Sequence, residues 1–183
     1  MGTEKGAGRE QGFRLLYEDH VARVARYAAR RTAPNDVQDV VSETFLTAWR
    51  RFDELPADTV PWLFATARNV ISNRRRSSER RRALGDRLAA EPAWASDPGS
   101  PADARGVDRR LLAAIAALPG AEREAFMLTA WDGLDAVRAS RAAGCSAATF
   151  RMRLHRARRR LRRAIAPHAT ASPADVPTLE DTR

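Results

Sequence analysis

Eight arginines lie between Arg151 and Arg163, and the surrounding stretch, residues 146–165, contains no Asp or Glu. The same stretch repeats apolar residues in steps of four and three, which is the spacing of a buried stripe on a helix. These apolar positions are Phe150, Leu154, Ala157, Leu161 and Ile165. Another face carries Arg151, His155, Arg158 and Arg162 at the same steps. We therefore expect one side of this helix to pack on its own domain while the other presents guanidinium groups to a polyanion.

The positive charge of the chain is concentrated in two places. Residues 146–165 carry a net charge of +8, and residues 68–82 carry +6 from seven arginines and one glutamate. Because the whole chain has a net charge of +9, the remaining residues sum to −5. Two basic segments on a mildly acidic body predict two separate contacts with a polyanion rather than general basicity.

Three carboxylates could carry a different chemistry. Asp36, Asp39 and Glu43 recur at i, i+3 and i+7, on one side of a predicted helix. Such an edge can meet a basic protein partner, can hold Mg²⁺ for nucleic-acid cleavage, or can be a solvated face. The magnesium interpretation is the weakest, because no histidine lies nearby and one helix face rarely supplies octahedral geometry.

The elements that position these residues are predicted to be helices throughout, because no alternating strand pattern persists. We expect a first helix over 11–31, an N-cap at Asn35 for the second, and a third that has Pro61 in its first turn and continues to about 82. After residues 83–106, which read as a Pro- and Gly-rich linker, helices are predicted over 107–118, 121–131 and 134–143. Ser146 is expected to cap the basic helix.

The predicted fold class is therefore all-α, with two small helical domains joined by a flexible linker. The predicted domains cover residues 11–82 and 107–166, and the tail 167–183 is expected to be disordered. No run of about 18 apolar residues exists, so no membrane span is expected, and residues 1–13 lack the apolar segment of a secretory signal. The single cysteine, Cys145, excludes an internal disulfide and an all-cysteine metal site, which fits a cytoplasmic protein. No cofactor is expected.

The residues before the basic helix indicate which polyanion it binds. The predicted helix 134–143 leads through Gly144-Cys145-Ser146 into the basic helix, which has an apolar anchor at Phe150. Two helices joined by a tight glycine-containing turn are typical of a helix-turn-helix, whose second helix enters the major groove of DNA. A solvated basic face on a structural helix is the alternative.

Two segments together resemble a known family, the bacterial sigma factors of the extracytoplasmic-function (ECF) type. The C-terminal segments LPGAEREAFMLTAWDGL and GCSAATFRMRLHRARRRLRRAI resemble region 4 of these proteins, which reads the −35 promoter element. The segment NDVQDVVSETFLTAWRRFDELPADTVPWLFATARNVISNRRR resembles region 2, which binds core RNA polymerase and opens the −10 element. Arg138 and Arg141 depart from the family pattern, because these positions are often acidic.

The resemblance assigns roles to three sets of side chains. The candidates for contacts with the −35 element, to bases or to phosphates, are Ser146, Thr149, Arg151, Met152, Arg153, His155, Arg156, Arg158 and Arg159. The candidates for the −10 element are Asp58, Thr59, Trp62, Arg68, Asn69, Asn73, Arg74, Arg75 and Arg76. The candidates for binding core polymerase are Asp36, Asp39, Ser42 and Glu43. Core packing is the competing interpretation for Trp62 and Phe64, and Trp49, Phe52, Phe126 and Trp131 are expected to be core residues.

The resemblance implies a transcription initiation factor that has no catalysis of its own. Its expected partners are the clamp helices of the largest polymerase subunit, the subunit flap, double-stranded promoter DNA and the melted non-template strand. The sequence leaves open whether an anti-sigma factor holds it inactive. The alternative is a stand-alone helix-turn-helix regulator with an N-terminal sensing or dimerisation domain.

Overall fold

The computed structural model describes residues 2–83 and 109–165, which form helices joined by short turns and contain no strand. The all-α class predicted from the sequence is confirmed. The helices are α1 (Gly2–Ala29), α2 (Val37–Arg50), α3 (Thr59–Ala83), α4 (Arg109–Ala116), α5 (Gly120–Ala130), α6 (Ala136–Ala143) and α7 (Ala147–Ile165). Apart from residue 83, the predicted linker 83–106 lies outside the described residues, and so does the whole of the predicted tail 167–183. The expectations of flexibility and disorder therefore remain predictions.

The N-terminal half is a bundle of α1, α2 and α3. Its apolar core contains Val24 and Tyr27 from α1, and the Tyr27 ring stacks on the ring of Phe64 in α3 with centroids 4.5 Å apart. Phe64 is fully buried, so the core-packing interpretation is confirmed for this residue, whereas Trp62 is only half-buried. On α2 the buried hydroxyl of Thr44 donates to the Val40 carbonyl at 2.6 Å, which satisfies a polar group inside the core.

The C-terminal half packs α4, α5 and α6 around α7. The predicted stripe of α7 is buried at Phe150, Leu154, Ala157 and Leu161, whereas Ile165, at the end of the helix, is 40% exposed. Ala157 and Leu161 pack with α4, while Phe150 and Leu154 belong to a larger cluster that also contains the buried residues of α1, α2 and α3. The two helical halves therefore meet in one continuous apolar cluster.

Three local expectations differ from the structure. Helix α1 begins at Gly2 rather than at residue 11. The predicted N-cap Asn35 lies in a short 3-10 turn, and Asp36 instead precedes α2, with no side-chain hydrogen bond to the helix end. The turn itself provides an acceptor for one backbone N–H at the start of the helix, because the Asp36 amide donates to the Ala33 carbonyl at 2.9 Å. Trp131, which the sequence pattern places in the core, is 38% exposed at the end of α5.

Candidate nucleic-acid and protein interfaces

The α6–α7 segment has the local geometry of a helix-turn-helix. Asp135 caps α6, because its Oδ1 accepts the backbone N–H groups of Val137 and Arg138 at 2.8 and 2.9 Å. These hydrogen bonds hold the pKa of Asp135 below its ordinary value. Gly144 ends α6 with a φ of 63°, a left-handed conformation that glycine adopts without steric cost. Two cap contacts and one glycine thus fix the turn.

The start of α7 confirms the cap predicted from the sequence. The Ser146 Oγ accepts the Thr149 backbone N–H at 3.1 Å, and its hydroxyl donates to the Thr149 Oγ1 at 2.9 Å. Both side chains were predicted to contact the −35 element, and the structure places them at the N-terminus of the second helix of the motif. The turn and the cap therefore present the first residues of α7 outward, which is where a recognition helix contacts bases.

The arginines of α7 are of two kinds. Six of the nine −35 candidates are exposed side chains along the face opposite the buried stripe: Arg151, Met152, His155, Arg156, Arg158 and Arg159. Arg153 is half-buried. Arg160, which was not among the candidates, lies 2.9 Å from the largely buried carboxylate of Glu122 on α5. This contact is an ion pair without hydrogen-bond alignment. Arg160 therefore secures α7 to its own domain.

The −10 candidates surround the start and the middle of α3. The Thr59 hydroxyl donates to the Pro56 carbonyl at 3.0 Å, and Asn69 and Asn73 are exposed one turn apart. All three arginines at positions 74–76 have protein acceptors. Arg75 donates to the Arg31 carbonyl at 3.0 Å, Arg76 to the Asn73 Oδ1 at 2.6 Å, and Arg74 to carboxylates of α2. The structure thus brings these candidates to α3 and the loop before it. Some of their side chains already donate hydrogen bonds to acceptors within the protein.

Arg74 joins the predicted −10 set to the predicted polymerase-binding set. Its guanidinium lies 2.5 Å from an oxygen of Asp39, 2.7 Å from Glu43 and 3.8 Å from Asp36. Partial burial alone would lower the pKa of Arg74, but the hydrogen bond with Asp39 and the charges of the other two acids raise it overall. Ser42, the fourth polymerase candidate, is exposed. One arginine therefore provides the counter-charge for all three carboxylates.

Over residues 2–83 and 109–165, no group of three or more His, Cys, Asp or Glu side chains is arranged to hold a metal ion. Within the same residues, no helix is long and apolar enough to span a membrane.

A charged cluster between the two halves was not predicted from the sequence. We call it the α1–α5 charge cluster; it consists of Tyr27, Arg30, Arg31, Glu124 and Asp132. Arg31 is its centre, with Nε 2.9 Å from Glu124 and Nη2 2.8 Å from Asp132. Arg30 pairs with the other Asp132 oxygen at 3.0 Å, and the Tyr27 hydroxyl donates to Glu124 at 3.0 Å. The partners are about a hundred residues apart in sequence, so no local pattern could have revealed them.

Burial sets the electrostatics of this cluster. The side chains of Arg31 and Asp132 are 8% and 2% exposed. Burial alone would lower the pKa of Arg31, but Glu124, Tyr27 and Asp132 together raise it above its ordinary value. Burial, and next the charge of Glu124, raises the pKa of Tyr27 well above 10. Arg31 therefore stays charged, and the carboxylates of Glu124 and Asp132 compensate for the cost of burying its charge.

Two further contacts join α3 and the loop before it to the helix-turn-helix. Arg138 of α6 donates two hydrogen bonds to the carboxylate of Asp58, at 2.9 and 2.6 Å. The Arg68 guanidinium reaches the turn, because a Cβ at Gly144 would lie 2.7 Å from its Nη2. The pairing with Asp58 raises the pKa of Arg138. Two of the −10 candidates, Asp58 and Arg68, thus face the C-terminal half.

Comparison with known proteins gives the class to which this fold and these surfaces belong. Residues 16–81 match the family model for sigma-70 region 2, and residues 108–161 match the model for sigma-70 region 4. The two matches, in this order on one chain, define an RNA polymerase sigma factor of the sigma-70 family.

The curated relatives narrow the family further. The chain is 33% identical over 157 residues to the ECF RNA polymerase sigma factor SigL of Mycobacterium tuberculosis, covering 82% of this chain and 86% of SigL. It is 30% identical over 161 residues to the RNA polymerase sigma factor NccH of Alcaligenes xylosoxydans, covering 84% and 87%. The chain belongs to the ECF sigma factors, and it is a transcription initiation factor.

Solved structures agree in fold. The sigma factor RpoE of Bartonella quintana, in its complex with the anti-sigma factor NepR, superposes with a TM-score of 0.70 at 24% identity, covering 84% of this chain and 96% of RpoE. CnrH, in complex with the cytosolic domain of CnrY, gives a TM-score of 0.58 at 24% identity, covering 87% and 90%. These similarities support the all-α fold predicted from the sequence.

Proposed function

We propose that α7 reads the −35 element, that α3 and the loop before it bind the −10 element as it melts, and that the acidic edge beside α2 binds core polymerase. The observation that carries the proposal is that α7 is amphipathic, with one buried apolar face and one exposed basic face. Its apolar stripe is buried, whereas Arg151, Met152, His155 and Arg156 are exposed directly after the capped turn. An arginine in the major groove can bind guanine O6 and N7 with two hydrogen bonds.

The −10 assignment is supported by the position of polar and aromatic groups at the start of α3. Half-buried Trp62 and exposed Asn69 and Asn73 supply stacking and amide groups suited to unpaired bases, and Arg75 and Arg76 supply charge for the backbone. For the polymerase, Asp39, Ser42 and Glu43 form an exposed edge along α2, and Asp36 immediately precedes it. Complementary charge would guide the encounter with a basic partner more than it would add affinity.

Run-off transcription tests the proposal against its rivals. Purified protein is added to core polymerase that lacks any other initiation factor, with genomic DNA of the source organism as template. We expect transcripts that start at discrete sites and disappear when the protein is omitted. A stand-alone regulator would give transcripts only when a second initiation factor is supplied, and a nuclease would cut the template when Mg²⁺ is present. Absence of any transcript would contradict the proposal.

An anti-sigma factor is a candidate partner of this chain that the sequence leaves open. Co-purification of the tagged full-length protein from its own cells, with identification of the bound proteins by mass spectrometry, would test for such a partner separately from promoter binding.

A further inference from the structure

Helix α6 carries one arginine whose charge is not used inside the protein. Of its two arginines, Arg138 donates to Asp58, whereas the guanidinium of Arg141 is exposed and has no hydrogen-bond or ion-pair partner among the residues that the structure describes. The hydrogen bond from the Arg138 amide is the largest cause of the lowered pKa of Asp135, and the charge of Arg141 contributes least. Arg141 is therefore available for a partner outside the chain.

The backbone of the turn holds Arg141 close to the start of α7. The Arg141 carbonyl accepts the Gly144 amide at 3.1 Å, and the Ser140 carbonyl accepts the Cys145 amide at 3.1 Å. The neighbouring positions of α6 are buried: Ala139, Ser140, Ala142 and Ala143. The side chain of Arg141 therefore leaves the domain within one helical turn of the segment that enters α7.

The size of the major groove determines where α6 would lie on DNA. An α-helix with its side chains is about 10–12 Å across, and the major groove of B-form DNA is about 12 Å wide. A recognition helix therefore fills the groove. Because α6 packs against α7, and packed helices have axes about 8–10 Å apart, α6 must lie over the sugar–phosphate backbone at the edge of that groove.

The N-terminus of α6 is poorly suited to bind a phosphate there. Free backbone N–H groups at a helix N-terminus attract anions, but Asp135 already accepts the N–H groups of Val137 and Arg138 and is itself an exposed carboxylate. Val137, which is 49% exposed, is apolar. Among the side chains of α6, Arg141 is thus the one suited to meet a phosphate.

We propose that Arg141 is a DNA contact outside the recognition helix, and that its guanidinium binds one backbone phosphate at the edge of the groove that α7 occupies. The inference rests on the proposed function of α7. A phosphate contact carries no sequence information, but it fixes the register and the orientation of a protein on the duplex. Arg141 therefore holds the base-reading face of α7 in place from a second helix.

The test uses the full-length protein assembled with core polymerase and a duplex promoter that yields a transcript in the run-off experiment. A series of duplexes carries a neutral methylphosphonate in place of one phosphate, at each position in and around the −35 element in turn. Binding of the wild type, Arg141→Ala and Arg141→Lys is measured on this series, and on the unmodified duplex at several salt concentrations. The matched control is Arg26→Ala, which removes an exposed arginine from α1.

We expect Arg141→Ala to bind the unmodified duplex about tenfold more weakly at about 50 mM salt but only about threefold more weakly at about 200 mM, because the slope of log K against log salt falls by about 0.9. Neutralising one particular phosphate should weaken binding of the wild type and of Arg141→Lys. The same change should leave Arg141→Ala unaffected, since its contact with that phosphate is already lost. Arg26→Ala should match the wild type throughout.

Two results would overturn the inference. One is an affinity of Arg141→Ala equal to that of the wild type. The other is a weaker affinity with the wild-type methylphosphonate profile, because Arg141 would then act only as a basic residue that complements the dipole in the last turn of α6. If circular dichroism shows that Arg141→Ala is unfolded, Arg141→Gln decides by the same criteria.

Failure of this inference is distinguishable from failure of the proposed function. If only the inference is wrong, the wild type gives transcripts and is sensitive to phosphates of the −35 element, and Arg141→Ala has the same profile. If the proposed function is wrong, either no duplex gives a transcript or the wild type itself is insensitive to those phosphates, and the inference is refuted with it.

Discussion

Single arginines of α7 should have different effects, because the structure gives them different surroundings. Arg156 is exposed on the face that also carries Arg151 and Met152, and we predict that it contacts a base. Arg158 is exposed two residues further along and is predicted to contact a phosphate. Arg160 pairs with Glu122 and is predicted to contact no DNA. Substitution of each by Ala separates base reading, phosphate binding and structural support on one helix.

The expected magnitudes follow from these roles. Loss of a bidentate contact between Arg156 and guanine should cost about 1–3 kcal/mol, or roughly 5- to 150-fold, on the preferred site and little on other sites. Arg158→Ala should weaken binding on all sequences alike and reduce the slope of log K against log salt by about 0.9. Arg160→Ala should leave DNA affinity unchanged and lower the free energy of unfolding by about 1 kcal/mol, because Arg160 is itself mostly exposed.

The assay is binding of the factor, assembled with core polymerase, to a duplex library randomised at the −35 element, repeated over a series of salt concentrations. Sequencing of the bound fraction gives the preference at each position, and the salt series gives the slope. Arg151→Ala is a second test of base reading, and it should relax the preference at a different position from Arg156→Ala.

Equal losses across every sequence for Arg151→Ala, Arg156→Ala and Arg158→Ala would refute the base-reading assignment. A loss of DNA affinity in the folded Arg160→Ala variant as large as that for Arg158→Ala would refute the division of the arginines by their surroundings.

Three other predictions concern the stability of the fold and its association with core polymerase. Phe150→Ala should lower the free energy of unfolding by about 3–5 kcal/mol in urea denaturation, whereas Ile165→Ala, at a position that is 40% exposed, should cost under about 1 kcal/mol. Arg74→Ala should speed association with core polymerase in stopped-flow measurements at low salt, because its three carboxylate partners lose their internal counter-charge; the gain should vanish at high salt. Because the folded-state pKa of Tyr27 is raised, its contribution to stability is present below about pH 10 and is lost as the pH rises toward that higher value; Tyr27→Phe should remove this part of the loss between about pH 9 and pH 11. An identical alkaline loss in both proteins would exclude Tyr27 as its source.

The helices that bury a regular stripe could be predicted from the sequence. The four-and-three spacing of α7 identified the residues that the structure buries at Phe150, Leu154, Ala157 and Leu161. The turn before it was also predictable, because Gly144 is the residue that most readily takes the positive φ at the end of a helix. In both places local chemistry alone decides the structure.

The start of α1 could not be predicted, because tertiary contacts rather than an apolar stripe accompany its first turns. The Arg9 guanidinium lies 4.8 Å from the ring centroid of Trp49 and donates to the Trp49 carbonyl at 2.8 Å. Gly12 lies against the Phe52 ring, where a Cβ would be 3.1 Å from the nearest carbon. A charged residue and a glycine carry no hydrophobic periodicity, so the sequence pattern begins only at Phe13.

The prediction that Trp131 lies in the core was wrong, because its side chain is 38% exposed. Its ring meets Phe126 edge to face, with centroids 6.2 Å apart, while the guanidinium of Arg30, directly after α1, lies 5.9 Å from its centroid. An indole between an aromatic ring and a guanidinium can stay partly exposed, because it gains both packing and a cation–π contact. The arginine that provides this contact comes from the other half, and its position is not visible in the sequence around Trp131.

The sequence also does not show which arginines have acceptors within the protein, and this difference affects how the protein binds DNA. The runs in α3 and α7 look equivalent in sequence, yet Arg74, Arg75 and Arg76 donate to acceptors within the protein, whereas the α7 face is exposed. An α3 arginine must exchange a protein acceptor for a phosphate, so its net gain on binding is smaller. An exposed arginine of α7 gives up only water and counterions. Most of the salt dependence of promoter binding should therefore arise from α7, although the two segments carry similar charge.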